Sequence, residues 1–167
     1  LEGHPDNVAA CLRGGLTVAY LSTDGWRAER VEPHPSLQPV VFVPLDERLP
    51  TEDARRVLPT EVARSEATFN LSHVALAVLA LTVRPGLLRE ALQDRLHQPA
   101  RLPHVPAARA LFEDLREAGV PVCLSGAGPS LLAFDDGSGR IPELGPRWRV
   151  LRPGIASAGA SVSASPA

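Results

Sequence analysis

Lysine is absent from this sequence of 167 residues, and all 17 of its basic residues are arginines. The absence excludes a Schiff-base lysine, a pyridoxal-phosphate lysine and a Walker A lysine within these residues. Methionine is absent too, while proline reaches 17 and glycine 13. We attribute this composition to a GC-rich genome, so it predicts nothing about function.

Cysteine is scarce, and the two that occur, Cys11 and Cys123, form no metal-binding spacing. A reduced, cytoplasmic setting is therefore expected. The net charge of −2 comes without a basic stripe, which argues against nucleic acid as a partner. The best apolar run, residues 74–83, is too short to span a membrane. We therefore predict neither a nucleic-acid nor a membrane partner.

Hydrophobic periodicity predicts strands and helices in separate groups, which indicates an α+β fold with an antiparallel sheet. An opening helix, capped by Asp6 or Asn7, ends at Gly14 and Gly15. The other predicted helices are residues 52–57 with Thr51 as cap, 60–83, 87–96 and 107–118. The predicted strands are 16–21, 26–31, 40–43, 120–124, 131–134 and 148–151, the last continuing into 155–162, and the proline-rich segment 97–106 is a predicted loop.

The first candidate site is the polar stretch before the opening helix, which contains Glu2, His4, Asp6 and Asn7. Backbone N–H groups and the helix dipole favour an anion at a helix N-terminus. The Glu2 carboxylate could instead hold a divalent cation. A purely structural interpretation stands beside both, because such residues cap many helices for stability alone.

The second candidate is the loop of residues 125–130, Ser-Gly-Ala-Gly-Pro-Ser. Its glycines permit a positive φ and close approach of another group, and Ser125 and Ser130 supply hydroxyls. Such loops cradle phosphates, but they also simply turn hairpins. The loop matches neither a Walker A sequence nor a nucleophile elbow.

Two arginines form the third candidate. Arg55 lies four residues after Thr51, on one face of a predicted helix. Arg101 lies in the segment bounded by prolines. A guanidinium suits bidentate capture of a carboxylate or a phosphate. Either residue could equally be an ordinary surface arginine.

Taken together, these motifs resemble the homoserine kinases, members of the superfamily that includes galactokinase, mevalonate kinase and phosphomevalonate kinase. The resemblance covers about residues 1–134. It is carried by Glu-Gly-His-Pro-Asp-Asn-Val at 2–8 with the glycine pair at 14–15, by Thr-x-x-x-Arg-x-x-Leu-Pro at 51–59, by Phe-Asn-Leu at 69–71, by His-Gln-Pro-x-Arg at 97–101 and by the loop at 125–130.

The resemblance implies the transfer of a phosphoryl group from ATP to the side-chain hydroxyl of L-homoserine, a step of threonine biosynthesis. It assigns Mg²⁺ to Glu2 and places the catalytic residues Asp6 and Asn7 beside the reacting hydroxyl. The implied substrate-binding residues are His4, Asp6, Asn7, Thr51, Arg55 and Arg101, and the implied nucleotide-binding residues are Ser125, Gly126, Gly128 and Ser130.

The same resemblance implies a ferredoxin-like C-terminal domain at residues 46–167, preceded at 1–45 by the end of an N-terminal domain. It leaves a homodimer open. The family's phosphate-binding Gly-Leu-Gly-Ser-Ser loop is not in this sequence. We therefore expect the C-terminal half of an enzyme that is inactive by itself. Another kinase of the superfamily, such as a mevalonate-type kinase, and a non-catalytic binding module are the alternatives.

Overall fold

A computed structural model describes residues 5–162 of the chain, which form two compact units. The first unit holds the described residues up to Pro35 and those from Gly154 onward, and the second is Ser36–Pro153. The domain boundary that the resemblance implies after residue 45 stays a prediction. Residues 39–44 belong to the second unit because they form a strand that pairs with later strands of that unit.

The first unit consists of helix α1, Asp6–Arg13, and the hairpin of strands β1, Leu16–Ser22, and β2, Gly25–Val31. Residues 155–162 are predicted to continue the last strand, and this prediction is wrong, because the structure has no strand there. The N–H of Gly15 donates to the Ala156 carbonyl at 2.7 Å, and the N–H of Ala160 donates to that of Cys11 at 2.9 Å. These hydrogen bonds hold this segment on the first unit, so it does not pair with the sheet of the second unit.

The second unit is built on one antiparallel sheet with the strand order β4-β5-β3-β6. Taken in chain order within the unit, this is the ferredoxin-like order, which confirms the α+β prediction. The strands are β3, Pro39–Pro44, β4, Val122–Leu124, β5, Leu131–Phe134, and β6, Trp148–Leu151. The helices are α2, Thr51–Arg56, α3, Arg64–Thr82, α4, Leu88–Ala91, α5, Gln98–Arg101, and α6, Pro106–Glu117, with 3-10 turns at Pro85–Leu87 and Leu102–His104.

The core of this unit lies between the sheet and the helices. Alternate residues of β3 are buried, and Val40 and Phe42 have no exposed surface. Leu131 of β5 and Leu115 of α6 pack in the same cluster. Helix α6 begins where the Glu47 carboxylate accepts two backbone N–H groups at 3.0 Å, as helix N-termini favour.

The expected helix caps are wrong. Helix α1 begins at Asp6 and its N-cap is Pro5, and helix α2 begins at Thr51 after Pro50, with no side-chain capping bond at either end. In both cases the proline carbonyl accepts the first helical N–H, from Ala9 and from Ala54. The polar residue that follows each proline therefore belongs to the first turn.

The segment predicted as a loop at 97–106 is largely helical, since it contains α5 and a 3-10 turn. Pro99 and Pro103 lie in the first turn of these elements. Backbone N–H groups of a first turn have no partner within the helix, so the N–H that proline lacks costs no hydrogen bond there. The predicted helix at 87–96 is correspondingly shorter. Its regular part ends at Ala91, before the chain turns around Asp94.

Candidate functional site

The turn before α5 is organised by the carboxylate of Asp94. One oxygen accepts the Asn70 amide at 2.6 Å and the Leu96 N–H at 2.9 Å, and the other accepts the N–H groups of His97 and Gln98. Burial alone raises the pKa of Asp94, but these hydrogen bonds outweigh it and lower the pKa below its ordinary value. The ionised carboxylate thereby fixes where α5 begins.

Gln98, the first residue of α5, joins this helix to the sheet. Its side chain is only 6% exposed. The side-chain oxygen accepts the N–H of Leu124 at 2.9 Å, and the side-chain nitrogen donates to the Leu92 carbonyl at 3.3 Å. Leu124 is the last residue of β4 and directly precedes the glycine loop, residues 125–130.

Arg101, the last residue of α5, brings two predicted binding elements together. Its Nε donates to the Ala54 carbonyl of α2 at 3.1 Å, and its Nη1 donates to the Gly126 carbonyl of the glycine loop at 3.3 Å. No described residue accepts a hydrogen bond from Nη2 of this guanidinium. One edge of Arg101 is therefore available to a ligand such as a carboxylate.

The glycine loop is closed by two backbone hydrogen bonds, from the Ser125 N–H to the Ser130 carbonyl at 2.8 Å and from the Gly128 N–H to the Ser125 carbonyl at 3.0 Å. Gly126 and Gly128 have φ values of 59° and 84°, which only glycine adopts without cost. Within the described residues, the Gly126 N–H and both serine hydroxyls have no hydrogen-bond partner. This donor set fits the oxygen atoms of a phosphate.

Two consecutive arginines of α2 differ in their contacts. Arg56 pairs with Glu52 at 3.0 Å and with Asp53 at 2.9 Å. Arg55 is exposed, and no described residue forms an ion pair with it. Thr51 is exposed in the first turn of the same helix. Arg55 therefore keeps its guanidinium available, whereas Arg56 is engaged within the helix.

The opening stretch is described only in part. Asp6 and Asn7 are exposed in the first turn of α1, in the first unit. Glu2 and His4 lie outside the described residues. Among residues 5–162, no group of three or more His, Cys, Asp or Glu side chains could hold a metal ion. The predicted magnesium and substrate roles of the opening stretch therefore stay predictions.

A pocket of about 260 Å³ lies beside Arg101 and Gly126. Nε2 of His73 is buried at this pocket and has no hydrogen-bond partner among the described residues, while Nδ1 lies 2.8 Å from the Phe69 carbonyl. Cys123 also lines the pocket. Burial, and then the charge of Asp94, raise the pKa of the Cys123 thiol to about 12, so this thiol is not a nucleophile at neutral pH.

Sequence reasoning missed the two residues that hold α5 in place. Asp94 was not singled out, although an Asp side chain often accepts the backbone N–H groups of residues that follow it closely and so forms a turn. Gln98 was quoted within a motif but was given no role. Its partner Leu124 is 26 residues away, and no local pattern reveals such a contact.

Comparison with known proteins shows what the second unit is similar to. Residues 77–149 match the family model described as GHMP kinases C terminal. This match covers the end of α3 through β6 and includes α5, Arg101 and the glycine loop. This part of the second unit is thus similar to the C-terminal domain of GHMP kinases.

The relatives within that class are homoserine kinases. The chain is 47% identical to the homoserine kinase of Streptomyces avermitilis over 97% of its own length and 54% of that protein. It is 42% identical to that of Mycolicibacterium paratuberculosis, over 86% of this chain and 46% of the relative. The chain therefore spans about half the length of these curated relatives.

A solved structure agrees with this relationship. The homoserine kinase of Cytophaga hutchinsonii matches with a TM-score of 0.75 and 28% identity, over 83% of this chain and 44% of that one. Separately, none of the helices within residues 5–162 combines the length and apolar character needed to cross a membrane.

Proposed function

We propose that this chain is part of an ATP-dependent homoserine kinase, which phosphorylates the side-chain hydroxyl of L-homoserine. The observation that carries the proposal is the position of Arg101, whose guanidinium joins α2 to the glycine loop and keeps one edge for a ligand. The identity of 47% with a homoserine kinase supports the choice of substrate.

In this proposal the two arginines bind the substrate carboxylate. Arg55 is exposed and its guanidinium has no partner among the described residues, and Arg101 of α5 contacts the carbonyl of Ala54, which precedes Arg55 in α2. Two guanidinium groups suit a substrate with a carboxylate better than a neutral sugar. Thr51 and His4 complete the predicted amino-acid site.

The glycine loop would contact the nucleotide phosphates through the free N–H of Gly126 and the hydroxyls of Ser125 and Ser130. Asp6 and Asn7 would hydrogen-bond the substrate hydroxyl and direct it toward the phosphate, with Glu2 holding Mg²⁺. The bound Mg²⁺ would supply neutralisation of phosphate charge. Positioning and charge neutralisation are what in-line phosphoryl transfer chiefly requires.

The test is steady-state kinetics of the complete gene product with ATP and homoserine, compared with mevalonate and galactose as acceptors. We expect Arg55→Ala to raise the KM for homoserine about 10- to 100-fold, because a charge-assisted hydrogen bond of about 1.5–3 kcal/mol is lost. Arg56→Ala, in the adjacent but already paired residue, is the control and should change KM less than about twofold.

Turnover of mevalonate but not homoserine would assign the protein to another kinase of the superfamily. If no acceptor is phosphorylated, the interpretation as a non-catalytic binding module would replace the proposal. The cytoplasmic location expected from the cysteine usage stays a prediction, and the family resemblance leaves a homodimer open. Gel filtration of the complete gene product would test the second.

A further inference from the structure

We propose that Gln98 is a positioning residue that couples the carboxylate-binding arginine to the phosphate-binding loop. The inference rests on the proposed function, because the roles of Arg101 and of the glycine loop come from it. Gln98 itself reaches neither ligand-binding group. It acts through the N–H of Leu124 and through the start of α5.

Gln98 is the one polar residue among the described ones that is buried. A buried amide is costly unless both of its ends are hydrogen-bonded. Here both are bonded, to Leu124 and to Leu92. An apolar side chain of similar size would fill the space without that requirement, so a packing role alone does not call for glutamine.

Helix α5 contacts the sheet and the glycine loop at closely spaced positions. Gln98 and Arg101 lie three residues apart and therefore on one face of α5. Their partners in the sheet and loop are Leu124 and Gly126, two residues apart. Helix α5 thus holds the chain at two successive points, one directly before and one within the glycine loop.

These two contacts differ in burial and in length. The bond from Arg101 to the Gly126 carbonyl is exposed and 3.3 Å long, so a bound carboxylate can compete with it. The bond from the Leu124 N–H to Gln98 is buried and 2.9 Å long. Gln98 therefore keeps the loop in place against α5 while the Arg101 guanidinium turns to its ligand.

The test uses Gln98→Leu in the complete gene product, with Gln93→Leu as the matched control. Gln93 lines the same pocket, but its side chain bonds only to the exposed Glu90. We expect Gln98→Leu to raise the KM for both homoserine and ATP about tenfold, because a buried N–H loses its acceptor. Gln93→Leu should leave both values within about twofold. Unchanged KM values in folded Gln98→Leu would overturn the proposal.

Gln98→Glu is the conservative variant. A protonated carboxyl group can accept from Leu124 and donate to Leu92 as the amide does, whereas a carboxylate cannot donate. We expect its KM values to approach those of the unchanged protein at low pH and to rise as the pH rises. KM values for Gln98→Glu that stay independent of pH, relative to the unchanged protein, would contradict the proposed hydrogen bonds.

Amide hydrogen exchange on the 167-residue chain supplies a readout that does not depend on activity. Gln98→Leu should increase exchange in the glycine loop and at Leu124, whereas exchange in β3 should change little. If exchange in the loop is unaltered, the positioning role is refuted. If the loop responds but the complete gene product phosphorylates no homoserine, only the proposed function fails.

Discussion

The two units of this chain differ sharply in how they bury apolar side chains. Of the described hydrophobic residues that are buried, only Ala9 belongs to the first unit, and all the others belong to the second. Both units leave large apolar side chains in solvent, among them Leu12 at 63% exposure, Leu21 at 68% and Trp26 at 51% in the first and Leu71 at 73% in the second.

This difference shows where the chain carries its own stability. The second unit has a sheet, helices and a contiguous core, which is what a domain needs to fold by itself. The first unit is one helix and one hairpin, and a two-stranded hairpin is marginal in water. The candidate carboxylate and phosphate groups belong to the stable unit, whereas Asp6 and Asn7 belong to the marginal one.

The largest expected effect comes from matched aromatic truncations in the two units. Phe42→Ala removes a side chain with no exposed surface from the centre of β3, so it should lower the free energy of unfolding by about 3–5 kcal/mol. Trp26→Ala removes a half-exposed ring from β2 and should cost less than about 1 kcal/mol. Urea unfolding followed by circular dichroism measures both.

Fluorescence of Trp148, which packs against the core of the second unit, reports that unit separately in the Trp26→Ala background. Similar losses of stability for the two substitutions would show that the first unit has a core of its own. The contrast between the units would then have to be abandoned.

The second prediction concerns the two thiols, one in each unit. Cys11 is exposed on α1, whereas burial raises the pKa of Cys123 to about 12. Alkylation at pH 8 should therefore modify Cys11 at least about 100-fold faster, because the thiolate is the reactive species. Mass spectrometry of the native chain gives both rates.

The variant Cys11→Ser isolates the slower thiol, and in concentrated urea the two rates should converge. Comparable native rates would mean that the second unit opens readily around β4. The proposed positioning of the glycine loop would then lose its structural basis, because β4 leads directly into that loop.

Periodic stretches of the chain were predictable because their structure is encoded locally. The strands β1, β2 and β3 and helix α6 lie within two residues of their predicted ends, since alternation and helical spacing persist through each of them. The α+β class followed from their order. Segment 97–106 was mispredicted because its prolines were taken as helix breakers, whereas they occupy first-turn positions that tolerate proline.

The candidate site was predictable only as far as its motifs extend. Arg101 and the glycine loop were singled out by residue type, a family resemblance gave them their roles, and the structure brings Arg101 to Gly126. The supporting contacts were not predictable, because Asn70 reaches Asp94 across 24 residues and Gln98 reaches Leu124 across 26. Such contacts exist only once the helices have packed on the sheet. The binding roles themselves stay predictions.

The smallest expected effect is a pH dependence that again separates the units. The folded-state pKa of Asp94 is lowered, so its contribution to stability is present above the unfolded-state pKa and is lost as the pH falls through the folded-state pKa. Asp94→Asn should cost about 1–3 kcal/mol at pH 7, because its amide cannot accept all the hydrogen bonds that the carboxylate accepts. It should also flatten the fall in stability between neutral pH and about pH 3.

Asp24→Asn is the control in the first unit, where an exposed pair with Arg27 contributes little. Urea unfolding across this pH range gives both curves, and an unchanged slope for Asp94→Asn would show that the Asp94 network does not stabilise the folded second unit.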